Sequence, residues 1–491
     1  MAKKIVIIGG GFAGLSAAST LAQQGFDVTL LEKNKEPGGR ARKLEIDGFT
    51  FDMGPSWYWM PDVFENYFKQ FNTTVSKQYD LIRLDPSYAV FFSKEEVFRI
   101  PANLNEFYQL FEKHEPGSSV QLKKFLADAE YKYNVSISDF VHKPSLSIFE
   151  FVDLRILNAA LKMDLFKSIS KYIHKHFKDP KLIQLLEFPV LFLGAKPNET
   201  PALYSMMNYA DIVLGTWYPM GGMFRIVEAM VNVAIEQGVK IKQGENVEKI
   251  NIKDGKAVSV VSNGITYDAD VIVAAADYHH VEQNLLEEKY RNYSESYWES
   301  RKMAPSCLMY YIGLNKKIDG LEHHNLFFDT PFDLHAEEIY DRPQWPTKPL
   351  FYSTCASKTD KSVAPEGKEN LVLLIPIAVD IEDRDEIREK YFNIMMERLE
   401  HLTGQSIKEH VIVKKSYAIN DFKKDYNSFG GNAYGLANIL KQTAILKPSL
   451  KNKKVQNLYY AGQLTVPGPG VPPSIISGQI AAKEIIKKFG V

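Results

Sequence analysis

Cysteine is almost missing. The 491-residue chain has two, Cys307 and Cys355, far apart and outside any C-x-x-C spacing. That usage makes no disulfide framework, and a reducing cytosol is the simplest compartment for it. No run of about 18 uninterrupted apolar residues occurs, the length a membrane-crossing helix needs. Charge of one sign is not in excess either: 59 Lys and Arg stand against 60 Asp and Glu, a formal net charge of −1. A global basic field for nucleic acid is thereby excluded. Histidines do not cluster as metal ligands do. His279-His280 and His323-His324 are adjacent pairs, which point to opposite faces if they lie on strands, and His174 and His176 do not share a helix face. With no H-x-x-x-H, no Cys/His cluster and no serine elbow, neither a metal site nor an acyl-transfer triad is expected. Repeats and low-complexity segments are also absent.

What is present is concentrated near the start. Gly9, Gly11 and Gly14 form G-x-G-x-x-G directly after the apolar run Ile5 to Ile8 and directly before a helical pattern opened by Phe12 and Ala13. The first glycine allows a tight turn, the second lets backbone approach a pyrophosphate, and the third lets helix and sheet pack closely. The helix start then offers unpaired N–H groups to the diphosphate. Gly25 closes this helix, and Asp27 to Glu32 reads as a second parallel strand, followed by Lys33. Glu32 suits a ribose 2′-hydroxyl and repels a 2′-phosphate, which argues against NADP. Gly38-Gly39-Arg40 adds a second glycine turn that bends back over the diphosphate, where Arg40 supplies a planar donor fork. Lys3-Lys4 and the apolar stretch after them mimic a signal peptide, but the nucleotide fold explains them better.

At 45% hydrophobic and 24% charged the chain is globular, and it is too long for one ordinary core. The expected class is α/β, with a Rossmann-like nucleotide domain assembled from residues 1–95, 216–290 and 445–491. Within it Val239 to Ile241, Val258 to Val261, Asp270 to Ala276 and Leu458 to Ala461 read as strands. Residues 96–215 read as a helical membrane-associating and substrate region. Residues 291–444 read as an inserted α+β substrate domain, with strands at Leu308 to Ile312, Leu371 to Ile377 and Val411 to Lys415 and a helix over 384–402. A last helix starts at about Pro472, where Pro472 and Pro473 suit a first turn.

The C-terminal segment NLYYAGQLTVPGPGVPPSIISGQIAA is the second strong signal. A glycine ending a strand, a Pro/Gly loop and a helix start together aim backbone N–H groups at an electron-rich ring. Together with the paired glycine turns, this pattern resembles the FAD-binding flavoproteins of the glutathione-reductase type, in the branch with amine oxidases and carotenoid desaturases. GFTFDMGPS (48–56), TWYPMGGM (216–223), VAPEG (363–367) and PGPGVP (467–472) are, in that order, similar to the bacterial-type phytoene and carotenoid desaturases. The resemblance spans almost the whole chain and implies FAD as cofactor and a long isoprenoid as substrate. It implies desaturation by hydride transfer to flavin N5 with proton loss from the neighbouring carbon. It also implies peripheral attachment to the inner face of the cell membrane, with quinone or oxygen as the final electron acceptor. Gly54, Pro55, Ser56, Val247, Gly462, Gln463, Gly470, Val471 and Pro472 join the residues above as expected cofactor contacts. The chain departs from many relatives in having Gly462-Gln463-Leu464-Thr465 where they have Gly-Thr-His.

Residues 145–181 independently suit a membrane surface. Phe149, Phe151, Ile156, Leu157, Leu161, Leu165, Phe166, Ile169 and Ile173 supply apolar area, and Lys162, Lys167, Lys171, Lys175, Lys178 and Lys181 outnumber Asp164 and Asp179. An ordinary amphipathic helix packed on the core reads equally well. Trp57, Tyr58, Trp59, Met60, Trp217-Tyr218-Pro219 and Phe188 to Leu193 are either core or the wall of an apolar tunnel. Asp52, beside the Gly54-Pro55 turn, is the candidate for catalytic proton handling, with capping of that turn as its other reading. Lys167 is a weaker candidate. Phytoene is the first expectation for substrate, with a later hydroxylated or monocyclic carotenoid undergoing 3,4-desaturation as the alternative. A flavin amine oxidase and a non-enzymatic prenyl-protein carrier are the competing classes. The intact fingerprint and Glu32 count against the carrier.

Overall fold

Five short strands, scattered from residue 4 to residue 460, meet in one parallel sheet. Its strand order is Leu458–Tyr460, Val271–Ala274, Lys4–Ile8, Asp27–Glu32 and Lys240–Gln243. Ile7 pairs with Val273 and Leu30, and Val273 with Tyr459. This computed structural model describes residues 2–151, 164 and 167–490. Both faces of the sheet's centre are covered, so Ile5–Ile8, Val271–Ala274 and Leu458–Tyr460 are apolar without interruption, whereas the edge strand Lys240–Gln243 is polar and largely exposed. Ile5, Ile7, Leu30 and Val273 face helices Phe12–Gln23, Phe224–Glu236 and Val471–Phe489. Val6, Ile8, Leu31 and Ile272 face a three-stranded antiparallel sheet, Val247–Lys253, Lys256–Ser262 and Ile265–Asp268. Ile5, Ile7 and Leu30 are fully buried, each contributing about 1.5–3 kcal/mol of apolar transfer.

The chain ends are locked together by close packing. A Cβ on Gly478 would stand 2.3 Å from the Ala13 carbonyl oxygen, so the last helix touches the backbone of the first. Ser16 adds a hydrogen bond from its hydroxyl to the Ile475 carbonyl, 2.8 Å.

A second sheet of seven strands lies beside this unit, in the order Val411–Tyr417, Ser306–Leu314, Glu369–Ile377, Phe351–Thr354, His324–Phe327, Tyr88–Phe91 and Val97–Ile100. The hairpin at 88–100, which the expected boundary at residue 95 splits, belongs to this sheet and pairs in parallel with His324–Phe327. The sheet therefore draws on chain from both sides of the 216–290 segment rather than on 291–444 alone. Period-two alternation divides its faces. Leu308, Tyr310, Leu371, Leu373 and Ile375 pack against helix Asp385–Thr403 through Phe392, Met395 and Leu399. Cys307, Met309, Val372 and Leu374 point to the other side, toward Phe49 and Phe51.

The 145–181 region divides. Ile156, Leu157, Leu161, Lys162, Leu165 and Phe166 lie outside the described residues. Ile169 and Ile173 sit on helix Ile169–His176 and are fully buried in the main core, whereas Phe149 is 80% exposed. Packing, not lipid, takes the apolar face of that helix. Among the described residues no helix is long and apolar enough to cross a membrane.

Candidate functional site

At the carboxyl ends of the parallel strands the backbone opens into a cleft of about 270 Å3, the position where doubly wound sheets take ligands. Two glycine turns form its floor. The Gly38 N–H donates to the Gly10 carbonyl at 2.8 Å, which ties the second turn onto the first. Gly9, Gly11, Phe12 and Ala13 line the cleft with Glu32, Lys33, Gly38, Gly39 and Arg40. Gly54, Pro55, Val247, Gly462, Gln463, Gly470 and Val471 join them from elsewhere in the chain. Gly14 is not in the lining. A Cβ there would lie 1.9 Å from the Gly9 carbonyl oxygen, so its role is to let the helix sit on the turn. Ser56 and Pro472 line a neighbouring cavity instead.

Charge in the cleft is placed as an anionic dinucleotide requires. Glu32 is buried, and its carboxylate accepts the Gly10 N–H at 2.7 Å and the Asn34 N–H at 2.8 Å, which aims it at the end of the second strand. Arg40 donates to the Ser428 hydroxyl at 3.1 Å and the Asn432 carbonyl at 3.2 Å, while its Nε is buried without a protein partner. Burial pulls the guanidinium below its ordinary pKa, and Asp277 opposes that shift. A buried, incompletely bonded guanidinium beside a glycine cradle fits a diphosphate. Lys33 turns its ammonium to the Lys424 carbonyl (2.6 Å) and the Asn427 side chain (3.1 Å).

The C-terminal helix begins at Val471 with Gly470 as its cap, and both residues line the cleft. Pro472 and Pro473 carry no N–H, so among the first three helical residues only Val471 keeps a donor. The dipole of this 19-residue helix still favours negative charge at that end. Gly462 donates its N–H to the Ser477 hydroxyl at 2.9 Å, which holds the strand end against the same helix.

Adjoining the cleft is a much larger cavity of about 780 Å3. Six residues line both: Gly54, Pro55, Leu374, Tyr434, Gly470 and Val471. Beyond this shared wall the lining is almost all apolar, with Trp57, Trp59, Met60, Phe188, Phe328 and Leu350. The aromatics near Gly54 thus separate: Trp57 and Trp59 face the cavity, whereas Tyr58 is fully buried and hydrogen-bonded to the Tyr79 hydroxyl at 2.9 Å. Asn438, Thr443, Lys143 and Ser145 give the cavity a few polar groups away from the cleft.

Asp52 lines neither space. Its carboxylate accepts the Met223 N–H at 2.8 Å and borders a small crevice with Ser56, Tyr218 and His323. Burial raises its pKa to about 7, and nearby Asp360 adds to the shift. Lys167 is an exposed side chain paired with Asp164 at 2.7 Å.

Several cleft residues carry no local sequence signal. Asp277 follows the strand Val271–Ala274, and its position at a parallel strand end is the one clue available. Tyr426 arrives at the end of helix Ile419–Tyr426 and Tyr434 from an irregular segment, both remote in sequence from the glycine turns. His323 and His324 do not diverge as adjacent strand residues do. The strand begins at His324, alternation does not reach His323, and the two rings stand 4.5 Å apart. No group of three or more His, Cys, Asp or Glu among the described residues could hold a metal ion.

A family model described as flavin containing amine oxidoreductase matches residues 12–486. A carotenoid 3,4-desaturase from Haloarcula japonica is 40% identical over 485 residues, covering 98% of each chain. A zeta-carotene-forming phytoene desaturase from Myxococcus xanthus is 30% identical over 492 residues, covering 99% of this chain and 94% of the other. In fold, an oxidoreductase from Methanosarcina mazei superposes with a TM-score of 0.65 at 18% identity, over 99% of this chain and 100% of that one.

Proposed function

This chain belongs to the flavin-containing amine oxidoreductase family and is an FAD-dependent oxidoreductase of the amine-oxidase and carotenoid-desaturase type; from that premise we propose that it desaturates a late, hydroxylated or monocyclic carotenoid intermediate at the 3,4 position. The observation that carries this reading is the apolar cavity of about 780 Å3 sharing one wall with the glycine cleft. An apolar-walled space on that scale suits a long hydrocarbon, not a small charged amine. The 40% identity to a 3,4-desaturase, against 30% to a phytoene desaturase, supports a late intermediate over phytoene. Asn438 and Thr443 offer partners for a substrate hydroxyl.

FAD, when bound, supplies a two-electron acceptor for a hydride. The residues of this chain do the rest. Glu32 would hold the ribose hydroxyls and Arg40 the diphosphate, and the Val471 amide at the helix start would favour an electron-rich edge of the ring. Gly54, Pro55, Tyr434 and Gly470 form the plane against which one carbon–carbon unit is aligned, and the aromatic wall excludes water from the reacting carbons. The seven-stranded sheet and the helices of 104–187 serve as the substrate region.

We read the cavity mouth as the membrane-facing side. Leu440, Ile445 and Leu446 line the cavity and are 44%, 40% and 52% exposed. Exposed apolar side chains rimming an apolar cavity suit peripheral docking on lipid, from which the substrate enters.

The test is direct. FAD-loaded protein is incubated with liposomes carrying phytoene in one arm and a hydroxylated, partly conjugated carotenoid in the other. Loss of two hydrogens by mass with a red-shifted absorbance in the second arm is expected. Turnover of phytoene alone overturns the substrate assignment, and turnover of neither overturns the reading. Reoxidation with oxygen excluded and a quinone supplied tells the two acceptor candidates apart.

A further inference from the structure

Desaturation releases a proton as well as a hydride, and an apolar cavity holds few groups able to take one. Two observations converge on a pair that can. Tyr352 lines the cavity and is the cross-strand partner of Leu374, which lies in the wall shared with the cleft. Directly opposite residues in a sheet stand roughly 5 Å apart, so this phenol is one strand from where the reacting carbon is held. Behind it, His324 Nδ1 is 2.7 Å from the Tyr352 hydroxyl. On its other side the same hydroxyl is 2.9 Å from Ser56 Oγ, next to Pro55 of that wall. Tyr434 also lines the wall, but among the described residues no imidazole is hydrogen-bonded to it.

We propose that Tyr352 accepts the substrate proton and passes its own phenolic proton to His324 Nδ1, a proposal that rests on the desaturase reading above. Atoms and electrons balance as follows. One C–H bond breaks with its electron pair leaving as hydride to the enzyme's flavin. The adjacent C–H bond then gives its electrons to the new C=C and its proton to the Tyr352 oxygen. The Tyr352 O–H bond breaks toward His324 Nδ1, leaving a neutral phenol and an imidazolium. A carbocation flanking a C–H bond makes that proton strongly acidic, so a neutral imidazole is base enough.

The surroundings suit a transient acceptor. The His324 ring is fully buried and stacked on Trp57 at 4.1 Å and 11°. Burial, with His323 adjacent, holds it far below the ordinary histidine value, so it returns the proton promptly. Ser56 lines both the cavity and a small crevice bordered by Asp52 and His323, and the proposed route continues into that crevice. This path assigns Asp52 to the far end of the proton route and not to contact with substrate. A phenol is the better donor and an imidazole nitrogen the better acceptor than a serine hydroxyl, which sets the sense of the Tyr352–His324 bond.

That sense is measurable without turnover. In wild-type protein labelled with 15N at histidine, His324 is expected as the Nε2–H tautomer with an acceptor-type Nδ1 signal that moves in Tyr352→Phe. A proton resident on Nδ1 overturns the proposal. Kinetically, Tyr352→Phe is expected to slow single-turnover formation of the more conjugated product by about 100-fold or more, with FAD affinity unchanged and the protein still folded. Product formation at the wild-type rate overturns the proposal while the desaturase reading stands, whereas a wild type that desaturates neither carotenoid removes both. Should Tyr352→Phe fail to hold FAD, His324→Gln supplies the second measurement, with the same loss of rate expected.

Discussion

Replacing Glu32 separates the folding and cofactor roles of one carboxylate. The side chain is 4% exposed and accepts hydrogen bonds from the Gly10 N–H (2.7 Å), the Asn34 N–H (2.8 Å) and the Asn34 amide (3.0 Å). Glu32→Ala orphans two backbone donors at the floor of the cleft. Each buried, unsatisfied donor costs about 1–3 kcal/mol, so the apoprotein loses about 2–6 kcal/mol. An unfolding entropy of about 2.1 cal/mol/K per residue over 491 residues gives about 1 kcal/mol/K, hence a melting temperature lower by about 2–6 °C. FAD binding loses a charge-assisted bond to ribose besides, about 1.5–3 kcal/mol, or roughly 10- to 100-fold in Kd. Glu32→Gln keeps one acceptor oxygen and falls between. Differential scanning fluorimetry of the apoprotein and flavin-fluorescence titration read the two effects independently. An apoprotein that melts like wild type refutes the account of the turn, and an unchanged FAD affinity refutes the ribose assignment.

Three further outcomes follow from the same geometry. Gly478→Ala puts a Cβ 2.3 Å from the Ala13 carbonyl, so the terminal helices separate and purified protein is expected to lose its flavin colour on dialysis; full retention argues against the packing. Asp211 is buried between the Tyr88 hydroxyl (2.8 Å) and the Thr216 hydroxyl (3.1 Å), and burial raises its pKa to about 7. Its folded value lies above its unfolded one, so its contribution is intact below about pH 4 and is lost as pH rises through 7, by up to about 4 kcal/mol. The melting temperature of Asp211→Asn relative to wild type is therefore expected to rise between pH 5 and pH 8, and a constant difference contradicts the shift. Ile445→Asp with Leu446→Asp places two charges on the cavity rim and is expected to reduce co-sedimentation with anionic liposomes several-fold while leaving FAD affinity alone; undiminished sedimentation moves the membrane face elsewhere.

Local chemistry made the nucleotide half of the site legible. Gly9, Gly11, Gly14 and Glu32 lie within one strand–turn–helix–strand unit, where spacing along the chain is spacing in space. The same locality placed the strands at Lys4–Ile8 and Asp27–Glu32 and the helix Val471–Phe489 within a residue or two. It did not divide the cleft from the cavity. Ser56 and Pro472 line the larger cavity and not the cleft, each two residues past a glycine bend, at Gly54 and Gly470, where the chain changes direction. The helix start at Val471 was visible, but the donors lost at Pro472 and Pro473 matter only once that end is known to meet the cleft.

Two disconnected glycine turns, an acidic strand end and a terminal helix were decided by the amino-acid order itself, because each is a short-range match between residue type and backbone geometry. Whether Trp57 is core or wall, whether Ile169 meets lipid or protein, and whether His324 meets Tyr352 were settled by tertiary structure alone. Those outcomes depend on segments brought together from around residues 54, 324, 352 and 374. Burial and pairing between such distant segments arise only when the sheets close on one another, and no window of sequence contains that event.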